Sequence, residues 1–250
     1  MGSGIESGRD LSRVAIHHIK SAQKVFSMVG DPVTVRWLCE LNKSTELLDK
    51  FYSARKPRLK TYEQMTDRIV SFVKRGEDVC VVTYGHPAVS VYATHKAIER
   101  VRAMGASATM LPAVSALDCL IADLGIDPVA GGLAVYDATD FLFFRRSFDA
   151  ASRLVLLQIA VTAEAGFKPS GAYRRDGLRA LVAKLMRTYG RRHEVIIYQA
   201  AQFPITKPKI VRLPLADVPD APVVVASTLY VPPKNNAPMD MANIRRFRRM

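Results

Sequence analysis

Hydrophobic positions recur along this chain with two alternating periods. Leu11, Val14, Ala15, Ile19 and Ala22 fall three and four apart and predict an amphipathic helix. The short apolar run 24–29 predicts a strand. Asp31-Pro32 then opens a helix through Trp37 and Leu41, with proline in the first turn, where its missing N–H leaves no bond unmade. Residues 47–59 lose the period and read as a loop or broken helix. Thr61, with Gln64 three residues on, reads as the N-cap and box partner of a helix whose apolar face continues at Ile69, Phe72 and Val73. An apolar run at 79–83 predicts a buried strand, Gly85-His86-Pro87 a sharp turn, and 92–104 a helix. A short strand at 109–111 leads into the turn 112–116, where Ser115 caps a helix over 116–124 with Asp118 in its first turn.

The second half reads as strands 132–138 and 153–160, a helix 176–189, and strands 194–200, 209–213 and 223–231, closed by Pro232-Pro233. Alternating strands and helices predict an α/β fold. Strands dominate after the turn at 112, so a mixed or antiparallel sheet is expected there. The division this implies is an N-terminal lobe over 1–112, a C-terminal lobe over 113–235 and a basic tail over 236–250. No internal repeat or low-complexity block interrupts it.

Composition narrows the class. The 250 residues are 49% hydrophobic and 24% charged, as in globular proteins with a sizeable core. No apolar run approaches the ~18 residues of a membrane span, and the polar Gly/Ser-rich start is no secretory signal. Cys39, Cys80 and Cys119 are far apart, in apolar contexts and without metal-ligand spacing, so buried free thiols in a cytoplasmic protein are expected, with no metal site. The net charge of +13 points to an anionic partner or a solvated basic face. Arg245, Arg246, Arg248 and Arg249 contribute to it at the end. Zinc-finger spacing, an RNP-like run and repeated base-stacking aromatics are all missing, which favours an acidic peptide over nucleic acid.

The candidate chemistry gathers behind the strand 79–83. In open α/β sheets ligands bind outside the carboxyl ends of strands, and this strand ends in a phenol, an imidazole and a turn of backbone amides, Tyr84-Gly85-His86-Pro87. That loop resembles the second cofactor loop of the tetrapyrrole (corrin/porphyrin) methylases. Gly2-Ser3-Gly4-Ile5-Glu6 is similar to their first glycine turn, and Leu111-Pro112-Ala113-Val114-Ser115-Ala116 to their inter-lobe linker, with Ala113 where the family usually has glycine. A narrower resemblance is to the borosin α-N-methyltransferases. It is carried by Tyr52, Arg58-Leu59-Lys60-Thr61-Tyr62-Glu63-Gln64-Met65, the run 115–124, Tyr136-Asp137-Ala138-Thr139-Asp140-Phe141-Leu142 and Ser227-Thr228-Leu229-Tyr230-Val231-Pro232-Pro233. It covers nearly the whole chain to Pro233.

The resemblance implies a two-lobed tetrapyrrole-methylase-like α/β fold with a cofactor cleft between the lobes. It implies S-adenosylmethionine as cofactor, S-adenosylhomocysteine as product, and methylation of backbone amides in a ribosomally made peptide. The alternative is a tetrapyrrole-like small-molecule methylase. Two departures shape the expectation. The family's apolar strand ahead of the glycine turn has no counterpart before Gly2, and only some 17 residues follow Pro233. The second departure resembles the split branch, in which a separate precursor, docked through a recognition region, is methylated in trans by a homodimer.

Carried onto this chain, the catalytic residues are Tyr62 as base, Arg58 as its activator or as stabiliser of the imidate oxygen, and Tyr52 and Tyr84 as positioning groups. The cofactor set is Tyr84, His86, Val89, Ser115, Ala116, Gln158, Ala200, Ser227 and Thr228. Each has an ordinary alternative: Tyr62 and Tyr52 as packing aromatics, Arg58 as a surface cation, His86 as a turn residue, Gln158 as a satisfied buried amide. The chemistry asks for such groups. An amide nitrogen is a poor nucleophile because its lone pair is delocalised into the carbonyl. Alkylating it needs a proton acceptor and a donor for the carbonyl oxygen; a phenol beside a guanidinium supplies both.

Overall fold

The computed structural model describes residues 1–168 and 170–248. The chain divides into two compact units, each built from three separate segments of the sequence. The first comprises Met1–Gly125 with Glu164–Tyr173 and Gln199–Lys209; the second comprises Ile126–Ala163, Arg174–Tyr198 and Ile210–Met250. The helix 116–124 thus belongs with the first unit, whereas the sequence-based division assigns it to the second lobe.

The first unit is built on a parallel three-stranded sheet, β1 (Lys24–Met28), β2 (Glu46–Leu47) and β3 (Val79–Thr83), in the order β2-β1-β3. Its helices are α1 (Arg13–Ser21), α2 (Pro32–Leu41), α3 (Arg58–Val73), α4 (Tyr92–Ala103) and α5 (Ala116–Leu124). Alternation along the strands separates two cores. Val25, Cys80 and Val82 face Ala15 and Ile19 of α1 and Leu38 of α2. Phe26, Val79 and Val81 face Met65 and Ile69 of α3 and Ala93 and Ala97 of α4. The first residues of the chain lie along β3: Gly2 bridges Thr83 in parallel, Thr83 N donates to Met1 O (3.0 Å) and Ser3 N to Thr83 O (2.7 Å).

The second unit holds a mixed sheet of β4 (Leu133–Asp137), β5 (Arg153–Leu157), β6 (Glu194–Gln199), β7 (Lys209–Pro214) and β8 (Thr228–Val231), in the order β4-β5-β8-β6-β7. β4 and β5 are parallel, and β8 is antiparallel to both β5 and β6, as the strand-rich pattern predicts. Helices α6 (Ala138–Phe143) and α7 (Asp176–Tyr189) cover it through a core of Phe141, Leu154, Leu156, Leu181, Leu185 and Leu229.

Several expectations are corrected. Thr61 is not an N-cap: α3 starts at Arg58 after Pro57, because Arg58 N donates to Ala165 O (2.8 Å), a bond that lies outside local sequence. Thr61 is buried inside the helix. Residues 109–111 form no strand. β5 stops at Leu157, since Gln158 turns to φ 60° and starts a 3-10 turn. β8 begins only at Thr228, after the turn in which Ser227 N donates to Val224 O (2.8 Å). Ala138 leaves the strand for α6, which Asp137 caps by accepting from Thr139 N and Asp140 N. The tail contains α8 (Met241–Phe247), which buries none of its residues; Arg249 lies outside the described residues. Cys80 is buried, whereas Cys39 and Cys119 are half-buried free thiols. Among the described residues no helix is long and apolar enough to cross a membrane.

Glu46 anchors the short β2. Its carboxylate accepts from Arg68 twice (3.0 and 2.9 Å) and lies 3.1 Å from Lys24 and 2.7 Å from Lys50. The Arg68 hydrogen bonds, aided by the lysines, hold its pKa at about 2 against the opposing effect of burial. A carboxyl depressed in the folded state stabilises above its unfolded pKa and loses that contribution as pH falls through the folded one. Glu46→Gln is therefore expected to lower the urea midpoint at pH 7. The gap to the wild type should close as pH drops from ~4.3 to about 2. A gap that stays constant across that window would contradict the assignment.

Candidate functional site

The carboxyl end of β3 joins two glycine-dependent turns. Gly85, at φ 68°, donates its N–H to Gly4 O (2.9 Å). Gly2 approaches so closely that a Cβ there would sit 1.8 Å from Gly85 O; only glycine permits this backbone contact. Asp10 Oδ2 accepts from Ile5 N (3.0 Å) and Glu6 N (2.8 Å), which fixes the first turn. In the second, Ala88 N donates to His86 Nδ1 (3.1 Å), which leaves Nε2 as the ring's other polar atom. Tyr84 hydroxyl accepts from Gln202 Nε2 (3.3 Å), and Gln202 O accepts from Ser7 N (2.8 Å). Burial raises the Tyr84 phenol above its ordinary pKa, against the Gln202 hydrogen bond.

A cavity of about 200 Å³ opens beside this loop. Tyr52, Tyr62, Tyr84 and Val89 line it, as do Met28, Met65, Thr83 and residues 90–93. Four of the sequence-predicted residues thus meet in one pocket, which has no charged side chain in its wall. Tyr52 and Tyr62 pack edge-on with centroids 6.4 Å apart, and Tyr92 lies 6.1 Å from Tyr62. Burial, then the neighbouring Tyr62, pushes the Tyr52 phenol well above its ordinary pKa, and the charge of Arg58 offsets this only in part. Tyr52 is therefore a neutral hydrogen-bonding group at all physiological pH values.

Arg58 does not hydrogen-bond Tyr62 among the described residues. Its Nη2 donates to the Tyr173 hydroxyl (2.8 Å), while its buried Nε has no partner. Ser115 is spent locally: its hydroxyl and N–H both donate to Asp118 Oδ2 (2.6 and 2.7 Å) in a capping box at the start of α5. The Asp118 carboxylate already occupies the N-terminus of the helix at which Ser115 and Ala116 were expected to meet the cofactor. Ala116 is the first residue of α5, and Ala200 is buried just after β6.

In the second unit, Gln158 and Ser227 are brought together: Ile159 N donates to Ser227 O (3.3 Å). Thr228 follows at the start of β8. Gln158 holds φ 60°, a strained value for a non-glycine residue. Among the described residues no group of three His, Cys, Asp or Glu is arranged to hold a metal ion.

Sequence reasoning missed Thr83, Tyr92, Gln202 and Tyr173. Thr83 was legible as the last residue of the strand, on the face of Val79 and Val81. It is 1% exposed, and its Oγ1 has no hydrogen-bond partner. A buried hydroxyl left unpaired is costly. Thr83→Val is expected to raise the melting temperature by about 2–4 °C, measured by differential scanning calorimetry of the unliganded protein; a lowered temperature would mean the hydroxyl is already satisfied.

Residues 1–219 match the family of tetrapyrrole (corrin/porphyrin) methylases. The chain is 39% identical over 96% of its length to a methyltransferase/ribosomally synthesized type III borosin cyclic peptide precursor of Anomoporia bombycina, of which it spans 28%. It is 38% identical over 99% of its length to the methyltransferase/ribosomally synthesized cyclic peptide omphalotin A precursor of Omphalotus olearius, of which it spans 60%. The chain thus spans less than two thirds of the length of these curated relatives. Among solved structures, uroporphyrin-III-C-methyltransferase of Thermus thermophilus superposes with a TM-score of 0.64 at 17% identity, over 93% of this chain and 92% of that one. The same enzyme complexed with S-adenosylhomocysteine gives 0.60 at 17% identity, over 93% of this chain and 95% of that one. Cobalt precorrin-4 methyltransferase gives 0.64 at 13% identity, over 93% and 92%. The match over most of the chain, on a fold these structures share, places the protein in the tetrapyrrole (corrin/porphyrin) methylase family.

Proposed function

We propose that these 250 residues transfer methyl groups from S-adenosylmethionine to backbone amide nitrogens of a peptide supplied as a separate molecule. The observation that carries this reading is the pocket at the end of β3. Two tyrosines of the catalytic segment share it with Tyr84 and Val89 of the glycine-turn loop, in a wall without charge. A neutral amide suits such a wall. A porphyrin-type macrocycle, with its ring of carboxylates, calls for cations and for far more room, which weighs against the small-molecule alternative. The identity to methyltransferase/peptide-precursor fusions supports the same choice.

The residues present suit the cofactor. Thr83 Oγ1 is a buried polar atom without a partner on the pocket face, Tyr84 adds a polar group in the same wall, and His86 follows in the turn behind it. Tyr84, His86 and Val89 would hold the cofactor from the loop; Ala116 and Ala200 would offer backbone contacts, and Gln158, Ser227 and Thr228 complete the proposed set. When bound, S-adenosylmethionine supplies an electrophilic methyl group on a sulfonium, so the acceptor nitrogen needs only activation and alignment.

The chain's own groups divide that work. Tyr62, as a phenolate, would accept the amide proton as the nitrogen is methylated, and would return to a neutral phenol. Arg58 presents its unpartnered Nε–H to the carbonyl oxygen, where charge builds as the nitrogen loses its proton. Because its hydrogen bond goes to Tyr173 and not to Tyr62, the role we assign to Arg58 is that of stabiliser of the imidate oxygen. Tyr52, kept neutral by burial, donates to the same oxygen or holds the amide plane. The protein acts as a homodimer in this reading, and the basic surface steers the peptide's recognition region, so docking weakens with salt.

The test is co-expression with a candidate precursor peptide as a separate molecule, followed by intact mass. Mass steps of about 14 Da, one CH₂ each, should appear with the wild type. Tyr62→Phe should cut the rate at least ~100-fold, in the range expected for loss of a general base, with S-adenosylmethionine affinity by calorimetry unchanged. An unmodified peptide beside an intact cofactor affinity would reject the peptide assignment.

A further inference from the structure

The segment Glu164–Tyr173 belongs to the first unit although it lies more than 100 residues beyond the catalytic segment. It is fastened to that segment at successive points. Gly166 bridges Pro57, and Arg58 N donates to Ala165 O (2.8 Å). Phe167 stacks on Tyr52 with centroids 4.6 Å apart at 28°. Tyr173 takes the Arg58 Nη2 hydrogen bond at 2.8 Å, and its ring lies 5.3 Å from the guanidinium carbon. Tyr173 is itself held, because its oxygen also accepts from Lys168 N (3.2 Å), and Lys168 Nζ lies 5.5 Å from its ring.

These contacts have a consequence for the guanidinium. An arginine side chain is long and loses much freedom when fixed. Here one nitrogen is tied to a phenol oxygen that a backbone N–H pins from the other side. The remaining Nε–H is buried and unpaired. The donor is thus oriented before a ligand arrives, so the cost of ordering it falls outside the reaction step. Phe167 does the same for Tyr52 by stacking, which leaves the Tyr52 edge to Tyr62.

We propose that Tyr173 and Phe167 are positioning residues, which hold Arg58 and Tyr52 in the geometry that peptide amide methylation uses. This rests on the function proposed above. Tyr173 acts through the hydrogen bond to Arg58, and its ring alone does not suffice.

The experiment compares the wild type with Tyr173→Phe on the same candidate precursor peptide. Tyr173→Phe keeps the ring over the guanidinium and removes only the oxygen. A hydrogen bond to a charged group corresponds to roughly tenfold or more in rate when lost, so kcat should fall about tenfold. The peptide KM, the S-adenosylmethionine affinity and the melting temperature should stay within twofold or about 2 °C of the wild type. In an Arg58→Lys background, which lacks the nitrogen fork that Tyr173 holds, the same substitution should cause no further loss. Phe167→Leu should lower kcat with the same unchanged cofactor affinity. An active wild type with Tyr173→Phe equally fast, or with melting temperature and KM shifted and kcat unchanged, would overturn the positioning role alone. A wild type that leaves the peptide unmethylated would overturn the proposed function, and this inference with it.

Discussion

The parallel register of β1 against β3 is the constraint on which the proposed site depends. Lys24 to Met28 pair in step with Val79 to Thr83, so Met28 and Thr83 finish side by side and both line the pocket. A slip of one residue would turn Thr83 towards Ile19 and Leu38 and expose Val82 on the pocket face. That register is secured from both sides. Val25, Cys80 and Val82 are buried on one face, and Phe26 is fully buried on the other. The two-sided burial explains the near-continuous apolar runs of these strands. Losing a side chain such as Phe26 from a packed core costs about 3–5 kcal/mol, which is large against the total stability of a domain.

Beyond the strand end, backbone contact takes over from side-chain packing. The Gly2–Gly85 approach and the Gly85 N to Gly4 O bond bring the two turns together without intervening side chains. Tyr84 is tied back through Gln202 to Ser7. Rigid turns thus carry the polar groups, while the aromatic wall of Tyr52, Tyr62 and Tyr92 comes from α3, α4 and the loop before α3. Three polar features remain unsatisfied or strained near the proposed chemistry: Thr83 Oγ1, Arg58 Nε and the backbone of Ser90 at φ 56°. Buried polar atoms normally find partners. Thr83 and Ser90 line the pocket where the tyrosines converge, which suits a polar ligand there.

Much of this was readable from local pattern. The α5 capping box follows from serine with aspartate three residues on, and α7 from an apolar stripe opened by Asp176. Tyr52, Tyr62, Tyr84 and Val89, named from motifs, share one pocket. What the sequence hid was tertiary. The start of α3 is set by Ala165, and the partner of Arg58 lies 115 residues away in a segment without helical or strand periodicity. Gln158 looked like a polar residue inside a strand, because nothing in its side chain announces a left-handed backbone. Ser115 was named both as the cap of α5 and as a cofactor contact, and its hydroxyl and N–H both go to Asp118.

The most direct measurement of the central claim is where the methyl group goes. Peptide treated with the wild-type chain and S-adenosylmethionine carrying a deuterated methyl should be acid-hydrolysed, and its amino acids separated by mass. Labelled α-N-methyl amino acids, with none of the label on side chains, are the predicted result. Label confined to side chains, or a peptide without label, would contradict the account of an amide activated between Tyr62 and Arg58.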